Sequence, residues 1–247
     1  MLLLPRKEDA MHKAWMYRVL GAIADDAYLA SVLYFKGGTC AAMLGWLDRF
    51  SVDLDFDYAG QASDIKKTRI ALEAIVHDMG MTIKDASKNG IQYFLKYEND
   101  GRNTLKLDAS FPLFVSSEYE PQRFVEIDRI LTCQTKETMF AHKLVALTDR
   151  FEKTGRIAGR DIYDIHYFFL HGYEYNVKVI GERRGEGVLE FFVGLLAFIN
   201  IEVTEKGIAE DLSTLLSPEK FALMRKVLKR ETTSLIQEEI NRLQSDP

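Results

Sequence analysis

Cysteine is scarce in this sequence, and its scarcity argues against a disulfide scaffold and a cysteine-based metal site. The 247 residues include 2 cysteines, Cys40 and Cys133, which lie far apart and lack metal-ligand spacing. This suits a reducing cytoplasm. In the first ten residues the charges follow the leucines, which is the reverse of the order in a signal peptide. We therefore expect a cytoplasmic protein.

The sequence also lacks a long apolar run and an excess of basic charge. The most apolar stretch, 188–203, is shorter than a membrane span and contains Glu190, so it predicts a buried helix and no membrane partner. The net charge is −5, so an anionic partner such as RNA would have to meet a local basic patch. The basic clusters at 178–184 and 220–230 are candidates for such a patch.

Two halves of the chain differ in their hydrophobic periodicity. Up to residue 133, helical segments mix with short alternating segments such as "VDLDFDY", "GIQYFLKYEN" and "NTLKLDAS", with turn signals at Asn89-Gly90 and Asp100-Gly101. An N-terminal helix is predicted from Arg6 to Ala30. From residue 134 the segments are helical. We predict an α/β domain over 1–133 and a helical domain over 134–247.

Acidic residues mark the polar faces of two predicted strands. In "VDLDFDY", Asp53 and Asp55 point the same way, about 7 Å apart along the strand, and Asp57 could share their face. In "TLKLDAS", Asp108 lies on the polar side. If the strands are neighbours, three carboxylates could bind two Mg²⁺ or Mn²⁺ ions about 4 Å apart, which suits in-line displacement at phosphorus. A solvated strand face is the alternative.

A glycine pair precedes these acids. Gly37-Gly38 lies between a predicted strand and a helix predicted over 39–50, with Thr39 as its N-cap. Glycine lets the backbone approach a ligand closely, and the N–H groups of a helix start attract phosphate. The helix would return the chain to the acids, so triphosphate oxygens would bind at one end and metal ions at the other. A tight turn without a ligand is the alternative.

At this point the residues resemble a known family. "KGGTCAAMLGWLDRFSVDLDF" resembles the first motif of the AbiEii/AbiGii-type toxin nucleotidyltransferases, which reads GGT, a spacer and R-x-S-x-D-L-D-F. The matching positions are Gly37, Gly38, Thr39, Arg49, Ser51, Asp53, Leu54, Asp55 and Phe56. "AHKLVALTDR" and "GRDIYDIHYF" are similar to the later lysine and R-D-x-x-D-L motifs, with Ile165 where leucine is usual. They match at Lys143, Arg160, Asp161 and Asp164.

The resemblance implies an α+β fold: a mixed sheet of the DNA-polymerase-β nucleotidyltransferase type with helices, followed by a helical C-terminal domain. It implies the toxin of a type IV toxin–antitoxin or abortive-infection pair, with a cognate antitoxin as partner. It also implies transfer of a nucleoside monophosphate from an NTP, with Mg²⁺ or Mn²⁺ as cofactor. The acceptor would be a tRNA 3′ end or another RNA.

Roles for the motif residues follow from the resemblance. Asp53, Asp55 and Asp108 are the expected metal ligands and catalytic acids. Lys143 would contact β- or γ-phosphate oxygens, and Asp161 would pair with Lys143 or Arg49 or orient one of them. The expected nucleotide-binding residues are Gly37, Gly38, Thr39, Arg49, Ser51 and Lys143. For Lys143 and Arg49 a solvated surface cation is the alternative.

Two other functions compete with a nucleotidyltransferase. An Asp-x-Asp pair also occurs in glycosyltransferases that bind a sugar nucleotide through Mn²⁺, although the glycine pair and the third acid favour nucleotidyl transfer. The other alternative is a non-catalytic module that binds a nucleotide or docks an antitoxin. The presence of Asp53, Asp55, Asp108 and Lys143 argues against it.

Overall fold

The computed structural model describes residues 6–7, 9–97 and 103–245, and these form two compact units. The first, here called the α/β unit, runs to Leu113 and resumes over Glu118–Thr135. The second, the helical unit, comprises Phe114–Ser117 and the chain from Lys136 onward. The main change between units therefore falls after residue 135, beside the boundary predicted after 133, and a short segment of the first half joins the helical unit.

The α/β unit contains a seven-stranded mixed sheet with the strand order β3-β4-β5-β2-β1-β7-β6. Its strands are β1 (Leu33–Lys36), β2 (Asp53–Tyr58), β3 (Thr82–Ala86), β4 (Ile91–Lys96), β5 (Thr104–Ser110), β6 (Tyr119–Phe124) and β7 (Arg129–Gln134). The pairs β2/β5 and β1/β7 are parallel, and the other neighbours are antiparallel. The predicted mixed sheet is thus confirmed.

Alternation along the central strands separates a core face from a polar face. Leu54 and Phe56 of β2 and Leu105 and Leu107 of β5 are almost fully buried. Burial of each such side chain contributes about 1.5–3 kcal/mol, so the apolar set decides which face turns inward. The acids between them are left on the other face.

Helices of the α/β unit are α1 (Asp9–Asp25), α2 (Ala27–Val32), α3 (Gly37–Met43) and α4 (Ile65–Asp78), with a short 3-10 helix at Ala62–Asp64. The continuous N-terminal helix predicted to Ala30 is interrupted at Asp26. The carboxylate of Asp26 accepts a hydrogen bond from the Leu29 N–H at 2.9 Å and caps α2.

The helix after the glycine pair is shorter than predicted. It starts at Gly37, with Lys36 as its N-cap residue, so the prediction of Thr39 as N-cap is wrong. It ends at Met43, because Gly45 adopts a φ of 75° and turns the chain out of the helix. Residues 44–52 then reach β2 without regular secondary structure.

Of the two turns predicted from sequence, one lies within the described residues and the other does not. β3 and β4 are joined over residues 87–90, which contain the predicted Asn89-Gly90 turn. The second predicted turn, at Asp100-Gly101, lies outside the described residues.

The helical unit contains α5 (Lys136–Thr154), α6 (Gly159–Leu170), α7 (Val177–Arg184), α8 (Val188–Glu202), α9 (Glu205–Leu212) and α10 (Pro218–Ser245). The apolar segment predicted as a buried helix forms α8, whose inward residues are Phe191, Phe192, Leu195 and Ile199. Within the described chain, no helix has the length and apolar character needed to cross a membrane.

Candidate active site

The polar face of β2 and β5 brings the predicted carboxylates together. Asp53 and Asp55 are partly exposed and alternate with buried residues of β2. Asp108 is likewise partly exposed on β5. Because β2 and β5 are parallel neighbours, with Asp55 opposite Asp108, all three acids lie on one face of the sheet.

The strand register orders this face into rows. One row runs from β4 to β1 through Gln92, Asp108, Asp55 and Lys36. In the next row Lys106 lies opposite Asp53. Adjacent strands are about 4.8 Å apart, so each acid has a charged or polar residue beside it.

Two lysines offset part of the negative charge. Lys106 Nζ lies 3.1 Å from Asp108 Oδ2, and Lys36 Nζ lies 2.6 Å from Asp57 Oδ1. Gln92 Nε2 donates to Asp108 Oδ1 at 3.3 Å. Four carboxylates lie on this face, and Lys36 and Lys106 pair with two of them.

Lys36, Gln92 and Lys106 are members of this face for which the sequence motifs predict no role. Lys36 had a usable signal, since it ends a predicted strand and directly precedes the glycine pair. Lys106 could be placed on the face of Asp108 by alternation. Gln92 could be found only through the strand register, because it lies 16 residues from Asp108.

Asp57 differs from the other acids of β2. Its side chain is buried and accepts hydrogen bonds from Lys36 Nζ, from the Tyr119 hydroxyl at 2.9 Å and from Gln134 Nε2 at 2.7 Å. These donors come from β1, β6 and β7, so Asp57 joins four strands. Its acceptor capacity is used by the protein itself, which indicates a structural role.

The glycine pair lies directly against the acids. Gly37 has a φ of 81°, a conformation that favours glycine. A Cβ atom added there would lie 2.7 Å from Asp55 Oδ2, and one added at Gly38 would lie 2.8 Å from Ser51 Oγ. The backbone conformation of Gly37 therefore favours glycine, and at Gly38 a Cβ atom would fit only if the Ser51 and Arg49 side chains shifted.

Three side chains that were predicted to bind the nucleotide are packed inside the protein beside the glycine turn. Thr39, Arg49 and Ser51 are buried. The Thr39 hydroxyl donates to the Asp53 carbonyl at 2.5 Å, and Arg49 Nη1 donates to the Phe50 carbonyl at 3.0 Å. The contact of Thr39 with Asp53 joins the two ends of the first motif, which is a role that the sequence pattern did not predict.

Lys143 and Asp161 belong to the helical unit, where each is held in an ion pair. Lys143 Nζ lies 2.8 Å from Asp164 Oδ2, and Arg150 Nε lies 2.9 Å from Asp161 Oδ2. Both acids are buried, on α6, and both cations are on α5. The acid beside Lys143 is thus Asp164, and Asp161 pairs with Arg150 instead of the predicted Lys143 or Arg49.

The two basic clusters differ in how many of their cationic side chains are paired with acidic side chains. In 178–184, Arg183 pairs with Asp149, and Arg184 pairs with Asp149 and Glu152. In 220–230, Lys229 Nζ donates to two carbonyl groups at the end of α8. The exposed cations of that second cluster are Arg225, Lys226 and Arg230.

The acids suit a divalent cation in two respects: their oxygens are suitable ligands, and the strand register places Asp55 opposite Asp108. Carboxylate oxygens are hard ligands, and this face carries four carboxylates. Among the residues that the structure describes, however, no three His, Cys, Asp or Glu side chains are already grouped as metal ligands. Asp108 contacts Lys106 and Gln92. It would bind a metal ion only after turning away from Lys106.

Comparison with protein families identifies the class of this chain. The profile of the family described as nucleotidyl transferase AbiEii toxin, of type IV toxin–antitoxin systems, matches residues 18–238. The chain belongs to this family. The match spans both units, so the resemblance predicted from the motifs is confirmed, and it favours nucleotidyl transfer over glycosyl transfer. Membership implies a nucleotide substrate and an antitoxin partner.

Two crystal structures from Helicobacter pylori share the fold. One, named as a candidate nucleotidyltransferase, is 20% identical with a TM-score of 0.56, over 96% of this chain and 98% of that one. The other, JHP933, is 19% identical with a TM-score of 0.55, over 98% of this chain and 99% of that one. Among proteins with curated function, none matches by sequence. The two likenesses support the fold and leave substrate open.

Proposed function

We propose that this AbiEii-family chain transfers a nucleoside monophosphate from an NTP to the 3′ end of an RNA, such as a tRNA. One observation carries the proposal: Asp53, Asp55 and Asp108 share a polar face directly beside Gly37-Gly38. Family membership supplies the class of reaction, and this arrangement supplies the residues.

The carboxylates of this face have a defined chemical role in this proposal. A divalent cation such as Mg²⁺, or Mn²⁺, held by Asp53, Asp55 and Asp108, would neutralise charge on the triphosphate. The hydroxyl oxygen of the acceptor bonds to the α-phosphorus, and the bond from that phosphorus to the bridging oxygen breaks, releasing pyrophosphate. The hydroxyl proton needs a base, and the partly exposed carboxylates of this face can accept it.

Lys143 is our choice for the cation that stabilises the departing pyrophosphate. Support comes from its position in the family motif and from Asp164, which holds its ammonium group at 2.8 Å. The side chain of Lys143 keeps 15% exposure, so it retains some access to solvent. In this proposal Asp161 acts indirectly, by fixing α6 against α5 through Arg150.

The proposed partners follow from the reaction. A toxin that caps tRNA 3′ ends would stop aminoacylation and hence translation, and a cognate antitoxin would have to counteract it. The exposed cations of 220–230 are the better of the two predicted contacts for the RNA backbone, because the arginines of 178–184 are already paired.

The test uses the purified chain, each α-labelled NTP in turn, total RNA, and either Mg²⁺ or EDTA. Labelled RNA should appear only with Mg²⁺. Asp55→Asn should reduce the labelling by more than about 100-fold, because even outer-shell changes at metal sites cost 10–100-fold. Asp78→Asn, at an exposed aspartate on α4, serves as the matched control and should label RNA normally.

Other outcomes separate the alternatives. NTP turnover without labelled RNA would point to a protein or small-molecule acceptor. NTP binding without turnover would favour the non-catalytic module. In cells, expression should slow growth and Asp55→Asn should relieve the effect; equal toxicity of both forms would disconnect toxicity from catalysis.

A further inference from the structure

We propose that the helical unit has a second site, which binds the phosphate group of a nucleotide, in a cavity formed by α5, α6, α9 and the loop before α6. The cavity has a volume of about 690 Å³, within the range of ligand sites in proteins. Its charged lining consists of Arg150, Arg156, Arg160, Glu210 and Asp211. The inference does not require the transfer reaction, since it concerns binding alone.

Two of the three arginines are available to a ligand. Arg150 is engaged by Asp161. In contrast, the guanidinium groups of Arg156 and Arg160 contact no acceptor within the described chain, and Arg160 uses only its backbone N–H, which donates to Asp211 Oδ2 at 2.9 Å. Arginine side chains at a cavity wall that have no protein acceptor need one from solvent or from a ligand.

The acids of the cavity are partly engaged elsewhere. Asp211 accepts the N–H of Arg160, and Glu210 lies 3.8 Å from Lys206 Nζ on its own helix. Since Asp211 already satisfies that N–H near the start of α6, the donors offered to a ligand are side chains and not the helix end. Within the described chain neither acid forms an ion pair with Arg156 or Arg160, so the guanidinium N–H groups of both arginines can donate to an anion.

The wall that holds Arg160 is rigid. A Cβ atom at Gly159 would lie 2.7 Å from both the Cα and the carbonyl oxygen of Ile208. The backbones of α6 and α9 are thus in direct contact at Gly159, which fixes Arg160 beside Asp211. A site with a preformed wall loses less entropy on binding than one that must assemble.

The chemistry of the donors selects the ligand. Guanidinium groups are planar forks that match phosphate oxygens bidentately. The cavity is also larger than a single inorganic ion requires, so it can accept the sugar and base that follow a phosphate. The ligand class is therefore a nucleotide, either free or as one unit of an RNA strand.

The experiment measures binding in EDTA, which prevents metal-dependent nucleotide binding at the acids of the α/β unit. A negative result would therefore count against the second site alone and not against the proposed transferase activity. Calorimetry with the full chain compares inorganic phosphate, a nucleoside monophosphate and a short single-stranded RNA. Arg156→Gln and Arg160→Gln should each weaken binding of the nucleotide-containing probes by about 10-fold. Arg160→Lys should cause a smaller loss, because it keeps the charge but loses the fork.

Lys153→Gln is the matched control, since it removes a nearby exposed positive charge that does not line the cavity. It should leave binding unchanged. Equal affinity for the monophosphate and the RNA would identify free nucleotides as the ligand, and preference for RNA would identify the strand. No binding of either, binding of inorganic phosphate alone, or an equal loss in Lys153→Gln would overturn the proposal.

Discussion

The α/β unit and the helical unit differ in how their acidic side chains are paired and exposed. On the polar face of β2 and β5, four carboxylates lie near two lysine ammonium groups. Three of these acids, Asp53, Asp55 and Asp108, are partly exposed. Between α5 and α6, each of two buried acids is paired with a cation: Asp164 with Lys143, and Asp161 with Arg150. Ion pairs join α5 to α6, whereas in our proposal a divalent cation would supply positive charge to the face of β2 and β5.

Burial and pairing with protein groups also distinguish charged residues within a single unit. Asp57 lies on the face of Asp53 and Asp55, yet it is buried and receives three donors from the protein. In the helical unit, Arg156 and Arg160 depart from the matched pattern, which is what made their cavity a candidate site. Breaking a buried pair leaves an uncompensated charge and is costly, while changing an exposed charge costs little.

The largest expected effect tests the matched pairs. Asp164→Asn should lower the free energy of unfolding by about 3 kcal/mol, because it leaves the mostly buried Lys143 without its counter-charge. Urea denaturation followed by circular dichroism measures the change. The control is Asp128→Asn, which removes the exposed partner of Arg123 and should cost much less than Asp164→Asn does. Equal losses in the two variants would remove the distinction between matched and surface charges.

A smaller effect is expected within β2 itself. Asp57→Asn should destabilise the protein by about 2 kcal/mol, because it weakens charge-assisted hydrogen bonds from three donors. Asp55→Asn should change stability less than Asp57→Asn does, because Asp55 is partly exposed, while RNA labelling is lost. Thermal or urea unfolding of both variants gives the comparison. A stable Asp57→Asn, or a strongly destabilised Asp55→Asn, would show that these two acids had been assigned the wrong roles.

The smallest effect concerns the positive charge of Lys106 beside Asp108. Lys106→Met removes the ammonium group 3.1 Å from Asp108 Oδ2 and should strengthen Mn²⁺ binding by about 3- to 10-fold, since the Coulomb effect is reduced by solvent. Titration followed by electron paramagnetic resonance reports free Mn²⁺ without requiring turnover. Lys84→Met, at an exposed lysine of β3, is the control. Unchanged or weaker Mn²⁺ binding in Lys106→Met would argue against Asp108 as a metal ligand.

Local patterns in the sequence were sufficient for several features. Alternation with a period of two placed Asp53 with Asp55, and Asp108 with Lys106, because strand side chains point to opposite faces in turn. Helical periodicity identified the second half of the chain, and the spacing of glycines, Arg49, Ser51 and the two acids led to the family. These features depend on residues close in sequence, where backbone geometry alone sets direction.

Tertiary structure alone decided which distant residues meet. The parallel pairing of β2 with β5 put Asp108 opposite Asp55, and donors on β1, β6 and β7 made Asp57 structural although its alternation is that of Asp55. The packing of α5 on α6 paired Lys143 with Asp164 and left Asp161 to Arg150. Periodicity states which way a side chain points along its own element, but its partner depends on how whole elements pack, and that is decided by burial of apolar surface across the molecule.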